Sequence, residues 1–129
     1  MTDRRPVFTS AAPAAVGPYS QAIIAGGLVY CSGQVALVPE TGEMLEGDVV
    51  QQAEQVFKNL IAVLGEAGSS LSQVVKCQVY LQSMDDFVAV NEVYARFFEG
   101  VVPPARVCIQ AARLPMDAAV EIDCIAQVD

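Results

Sequence analysis

The segment Val74-Val-Lys-Cys-Gln-Val-Tyr-Leu-Gln82, with the run that follows it, decides the fold class. Cys77, Val79 and Leu81 alternate with Lys76, Gln78, Tyr80 and Gln82, the period of two expected of a strand with one buried face. At Ser83 the period changes. Ser83 is a capping residue with Asp86 three positions on, and Phe87, Val90, Tyr94 and Phe97 then recur at helical spacing. Gly100 stops this helix and Pro103-Pro104 prevents its return.

Working outward, Arg106 to Ala112 and Ala119 to Val128 read as two more strands around a turn at Pro115-Met-Asp117. Upstream, Asp48 caps a longer helix with Gln51 at the third position, and Val49, Ala53, Val56, Phe57, Leu60 and Leu64 mark its inner face. Gly65 or Gly68 ends it. Ser20 to Ala25 and Leu28 to Gln34 are joined by Gly26-Gly27, a two-residue hairpin signal. Val7 to Ser10 reads as a short first strand, followed by an ordered Pro/Gly/Ala-rich loop to Tyr19. The order β-β-β-α-β-α-β-β gives an α+β class with six strands. Two helices cover one face of such a sheet, so the other meets solvent or another chain.

Composition narrows the function. With 129 residues the chain is a single domain, 1–129, long enough to bury about two thirds of its unfolded surface. It is 53% hydrophobic and 17% charged, which excludes intrinsic disorder. Fifteen acids against seven bases give a net charge of −8, so no basic stripe tracks phosphates and no nucleic acid or membrane partner is expected. There is no histidine, which removes the Ser-His-Asp and Cys-His systems and most catalytic zinc sites. Cys31, Cys77, Cys108 and Cys124 form no CxxC pair, so reduced thiols and a cytoplasmic location are expected. Met1 to Pro6 leads into no apolar core of a signal peptide. The longest apolar run, Ala22 to Cys31, is far below the ~20 residues of a membrane helix.

Alternation also suggests where chemistry could sit. Arg106, Cys108 and Gln110 share one strand face, with Val107 and Ile109 on the other. Val120, Ile122 and Cys124 oppose Glu121, Asp123 and Ile125. If the apolar sets lie under the helices, Val107 faces the core, and Arg106, Cys108 and Glu121 project together from the uncovered face. An arginine fork holds a carboxylate and a glutamate activates water, which suits hydrolysis of a small anion. A surface ion pair of Arg106 with Glu121 or Asp123 explains the same pattern.

These residues carry a resemblance. Pro104-Ala-Arg106-Val-Cys-Ile-Gln-Ala-Ala-Arg-Leu114, followed after five residues by Val120-Glu121-Ile122, closely resembles the signature of the RidA (YjgF) family. Ala12-Pro-Ala-Ala-Val-Gly-Pro-Tyr19-Ser-Gln21, Ser32-Gly33-Gln34 and Asn91 match its other hallmark stretches. The resemblance covers nearly the whole chain, in order. It implies a chorismate mutase-like fold and a homotrimer with active sites in clefts between subunits. It implies hydrolysis of reactive 2-imino or enamine acids, 2-iminobutanoate and 2-iminopropanoate among them, to 2-oxo acids and ammonia. It implies no cofactor and no metal. By resemblance Arg106 clamps the substrate carboxylate, Glu121 positions and activates water, and the backbone of Cys108 meets the substrate nitrogen. Tyr19 lines the cleft from a neighbouring chain, Gly33 lets backbone approach the ligand, and Asn91 supports the site. The Arg-x-Cys pattern with the downstream Glu121 is similar to the archetypal deaminase branch. Other readings are a deaminase of another enamine such as an aminomuconate, a non-enzymatic 2-oxo acid-binding regulator, and a chaperone-like or ribonuclease role. The acidic charge and missing histidine count against ribonuclease.

Overall fold

A computed structural model describes residues 3–129. The elements are β1 (Arg5–Val7), β2 (Ala22–Ala25), β3 (Leu28–Gln34), α1 (Val49–Glu66), β4 (Val74–Leu81), α2 (Phe87–Phe97), β5 (Ala105–Gln110) and β6 (Val120–Gln127). They form one six-stranded sheet in the order β1-β2-β3-β6-β4-β5. Every pairing is antiparallel except β4 with β5, which α2 joins as a crossover helix. The α+β reading and the order of elements therefore hold.

Local chemistry sets the boundaries. Gly26 and Gly27 both have positive φ, +58° and +79°, as the tight β2–β3 hairpin requires. Asp48 Oδ1 accepts from the Gln51 N–H at 2.9 Å and Gln51 Oε1 accepts from the Asp48 N–H at 2.9 Å, a complete capping box. The first strand lies earlier than Val7 to Ser10. The buried Gln21 side chain occupies Thr9, accepting from its N–H at 2.7 Å and donating to its carbonyl at 3.0 Å, so Thr9 cannot join a ladder. Ser83 caps a 3₁₀ turn over Met84–Asp86, accepting from the Asp85 N–H, and α2 begins only at Phe87.

Both helices pack on the same face of the sheet. Phe57 of α1 stacks on Phe97 at 4.6 Å and meets Tyr94 and Phe98 edge-on at 5.8 Å each. Cys31, Cys124 and Cys77 stand directly opposite one another across β3, β6 and β4 within this core, as free thiols. Among the described residues no helix is long and apolar enough to cross a membrane.

The register corrects one expectation. Cys77 is buried on the helix side, and its partner on β5 is Arg106. Arg106 and Cys108 therefore face the helix side. Val107 and Ile109 face the other, with 42% and 48% of their surfaces exposed. Glu121 stands beside Tyr80, whose partner on β5 is Ile109, so it lies on the face without helices. Within one chain Arg106 and Glu121 point to opposite faces. The inversion arises because β5 is an edge strand, where a helix-side position is open enough for a charge.

Candidate active site

The first half of the site is built on the β5 edge and α2. Phe87, Asn91 and Tyr94 lie at i, i+4 and i+7, one stripe of the helix. Arg106 Nη1 donates to Asn91 Oδ1 at 2.7 Å. Its guanidinium carbon lies 4.7 Å from the Tyr94 ring centre and 5.7 Å from that of Phe87. The ion pairs among the described residues join Arg5 to Asp3, Arg96 to Glu54 and Arg113 to Asp117. Among the described residues Arg106 has no carboxylate partner, and it pairs with neither Glu121 nor Asp123. The guanidinium opens onto a cavity of about 470 Å³ lined by Asn91, Tyr94, Phe98, Pro103 and Pro104.

Cys108 follows on the same strand face, half-buried against the core. Burial pushes its thiol pKa up while the Arg106 charge pulls it down, and the net direction is up. A protonated thiol is a poor nucleophile. Its backbone is better placed. The Ala111 N–H donates to the Leu81 carbonyl at 2.8 Å. Alternation along a parallel strand turns Ile109 and Val107 the same way, so the N–H and C=O of Cys108 point off the free edge.

The second half lies across β6 and β3. Cys31 pairs with Cys124 and Gln34 with Ile122, leaving Ser32 and Gly33 to stand against Asp123 alone. This bulge lets Glu121 cross the strand at Gly33: a β-carbon there would collide with Oε2 and lie 2.9 Å from Cδ. Ser32 ties the preceding loop to the bulge, its Oγ donating to the Ser20 carbonyl at 2.6 Å and its N–H to the Gln21 carbonyl at 3.0 Å. That loop carries Tyr19, whose ring is half exposed beside Gly17. Tyr19, Ser32, Gly33 and Glu121 line a cavity of about 720 Å³ with Val16 and Met116.

Burial raises the Glu121 pKa above its ordinary value of 4.5, and the neighbouring Asp123 charge raises it further. Asp123 is itself raised by burial, partly offset by the Tyr80 hydroxyl, which donates to Oδ2 at 3.2 Å, and by Lys76. A carboxylate lifted in this way is a better proton acceptor near neutrality.

The six residues singled out in the sequence thus fall into two groups. Arg106, Cys108 and Asn91 meet at the β5 edge; Tyr19, Gly33 and Glu121 meet at the bulge. Sequence reasoning missed Ser32 as a tether, although it lies in the quoted Ser32-Gly33 stretch. It took Phe87 and Tyr94 for core residues, because their helical spacing is that of a buried face. It missed Met116, which with Asp117 holds positive φ (57° and 54°) where Arg113 bonds Asp117 at 2.9 Å.

A family model described as endoribonuclease L-PSP, the RidA/YjgF family, matches residues 9–128. The chain belongs to the RidA family. A RutC family protein of Synechocystis is 52% identical, the match covering 93% of each chain. The mouse 2-iminobutanoate/2-iminopropanoate deaminase is 46% identical, covering 95% of this chain and 90% of that one. The crystal structure of E. coli TdcF with bound serine superposes with a TM-score of 0.92 at 38% identity, over 97% of this chain and 99% of that one. The bulge, the β5 edge strand and Arg106 of this RidA-family chain sit in a fold that its solved relatives share.

Proposed function

We propose that the protein hydrolyses 2-imino acids and their enamine tautomers, 2-iminobutanoate and 2-iminopropanoate among them, to 2-oxo acids and ammonia, in clefts between the subunits of a homotrimer. The observation that carries this reading is a guanidinium with no counterion among the described residues on one face and a half-buried carboxylate on the other. They serve one substrate only if the β5 edge of one subunit meets the bulge face of the next. Such edge-to-face contact is heterologous, and a threefold rotation between subunits closes it as a ring. Val107 and Ile109, exposed on the face without helices, supply apolar surface for that contact. The mouse relative's activity and the serine held by TdcF both concern small molecules bearing a carboxylate.

In this reading Arg106 holds the carboxylate through two parallel N–H donors. The nitrogen of the protonated imine meets the backbone edge at Cys108. Glu121 takes a proton from water as the oxygen attacks C2, forming a carbinolamine. Glu121 returns that proton to nitrogen and then takes the hydroxyl proton as the C=O bond forms and the C–N bond breaks, releasing ammonia, after which the proton leaves Glu121 for solvent or the departing ammonia. Asn91 steadies Arg106, Gly33 lets Glu121 reach across the strand, and Tyr19 walls the cleft.

The test generates imines with an L-amino-acid oxidase and traps them with semicarbazide. Wild type suppresses semicarbazone formation and Arg106→Ala does not. Equal suppression by both removes the clamp. No suppression by either, with 2-oxo acid still bound, favours a binding protein without turnover.

A further inference from the structure

Arg106 is a cation that must be held firmly and yet left unneutralised, which raises the question of what holds it. A carboxylate beneath it would occupy the fork meant for substrate. The structure supplies an aromatic ring instead. We propose that Tyr94 is a positioning residue that seats the Arg106 guanidinium for carboxylate binding. The inference rests on the clamp reading of Arg106 and goes beyond it to the group that sets the clamp.

The geometry has three parts. The Tyr94 ring centre lies 4.7 Å from the guanidinium carbon, well inside the range in which a cation is drawn to a π face. The ring is itself immobilised: it is 7% exposed, packed 4.7 Å from Phe98 and edge-on to Phe57 at 5.8 Å. Its neighbours on the α2 stripe add to the seat, Asn91 Oδ1 taking one N–H at 2.7 Å and the Phe87 ring centre lying 5.7 Å from the guanidinium carbon.

A π face attracts the charge without accepting from the in-plane N–H groups. One of the five donors goes to Asn91, and the others remain for a ligand. The hydroxyl is not what does this. It is buried beside the Cys77 thiol and makes no hydrogen bond of ordinary geometry. The ring alone therefore suffices, and phenylalanine is the conservative replacement.

The test is a calorimetric titration of 2-oxobutanoate into wild type, Tyr94→Phe and Tyr94→Leu, with Tm recorded for each and imine turnover measured in parallel. Tyr94→Phe should bind within about twofold of wild type, and Tyr94→Leu about tenfold more weakly. In turnover the loss in Tyr94→Leu should fall on KM more than on kcat. Introducing Tyr94→Leu into Arg106→Ala should weaken binding no further. A folded Tyr94→Leu that binds as wild type does would overturn the inference, because a purely structural residue lowers Tm and leaves Kd alone. If Tyr94→Leu does not fold, Tyr94→Met carries the same expectation. Wild type that binds 2-oxobutanoate with this dependence on Tyr94 but turns over no imine refutes the deaminase reading and leaves the positioning role standing. Wild type that turns over imine with Tyr94→Leu unchanged does the reverse. Wild type that binds no 2-oxo acid overturns the clamp and this inference with it.

Discussion

The carboxylate of Glu121 lies across the α-carbon of Gly33, so close that a β-carbon would overlap one of its oxygens. Gly33 has no positive φ, so its backbone accepts any residue and only the space above it excludes a side chain. Gly33→Ala should therefore fold with Tm near wild type. It should swing Glu121 off its line, lowering kcat by about tenfold or more while 2-oxo acid binding at Arg106 changes little. Steady-state kinetics beside calorimetry check this; equal losses in both would mean the bulge itself had collapsed.

Opposite faces for Arg106 and Glu121 make a sharp prediction for mixed subunits. Arg106→Ala and Glu121→Gln should each be inactive alone, with Glu121→Gln still binding 2-oxo acid. Unfolded together in equal amounts and refolded, they should recover about a quarter of the wild-type rate. In the proposed homotrimer three in four random assemblies are mixed, and each mixed one would hold one intact cleft of three. Recovery of no activity, with mixed trimers verified by mass, would place both groups in one subunit's site.

With Glu121 as the proposed base, its raised pKa should set the acid limb of kcat/KM above the ordinary 4.5. Asp123→Asn removes the adjacent charge and should move that limb to lower pH, burial alone keeping it above the ordinary value. Stability follows the same sign. The folded protein holds the proton more tightly than the unfolded chain. The favourable contribution is therefore complete below the ordinary value and lost as pH rises through the raised one. Asp123→Asn should narrow that loss, which melting curves across the acid range would reveal.

Asn59 is the buried polar side chain of α1. Its Nδ2 donates to the carbonyls of Leu37 at 2.9 Å and Val35 at 3.3 Å, and its Oδ1 accepts from Gln55. Asn59→Ala strands the Leu37 carbonyl, while the Val35 carbonyl keeps the Leu37 N–H at 2.8 Å, and should cost about 1–3 kcal/mol in urea unfolding. Because Val35 and Leu37 border the cavity beside Glu121, turnover should fall with it.

Much of this was legible in the chain itself. The period of two in Val74 to Gln82, the capping pair Asp48 and Gln51, and Gly26-Gly27 are local signals, and local sterics and hydrogen bonding are enough to make elements of them. The site residues were legible as a set because their motifs are spaced along the whole chain. The seat under Arg106 was not. Phe87 and Tyr94 are apolar residues at helical spacing, and nothing in that spacing distinguishes a ring that fills a core from one that faces a cation.

Sequence alone determined which residues share a face: Arg106 with Cys108, and Glu121 with Asp123. Only the tertiary structure decided which face each pair takes. Side-chain alternation carries no sign. The sign comes from β5 lying parallel beside β4 with Arg106 abreast of the buried Cys77, while β6 turns Glu121 the other way beside Tyr80. Strand order and register are long-range choices, made by packing two helices on one side of the sheet. They divide between two faces a pair of residues that alternation alone had placed together.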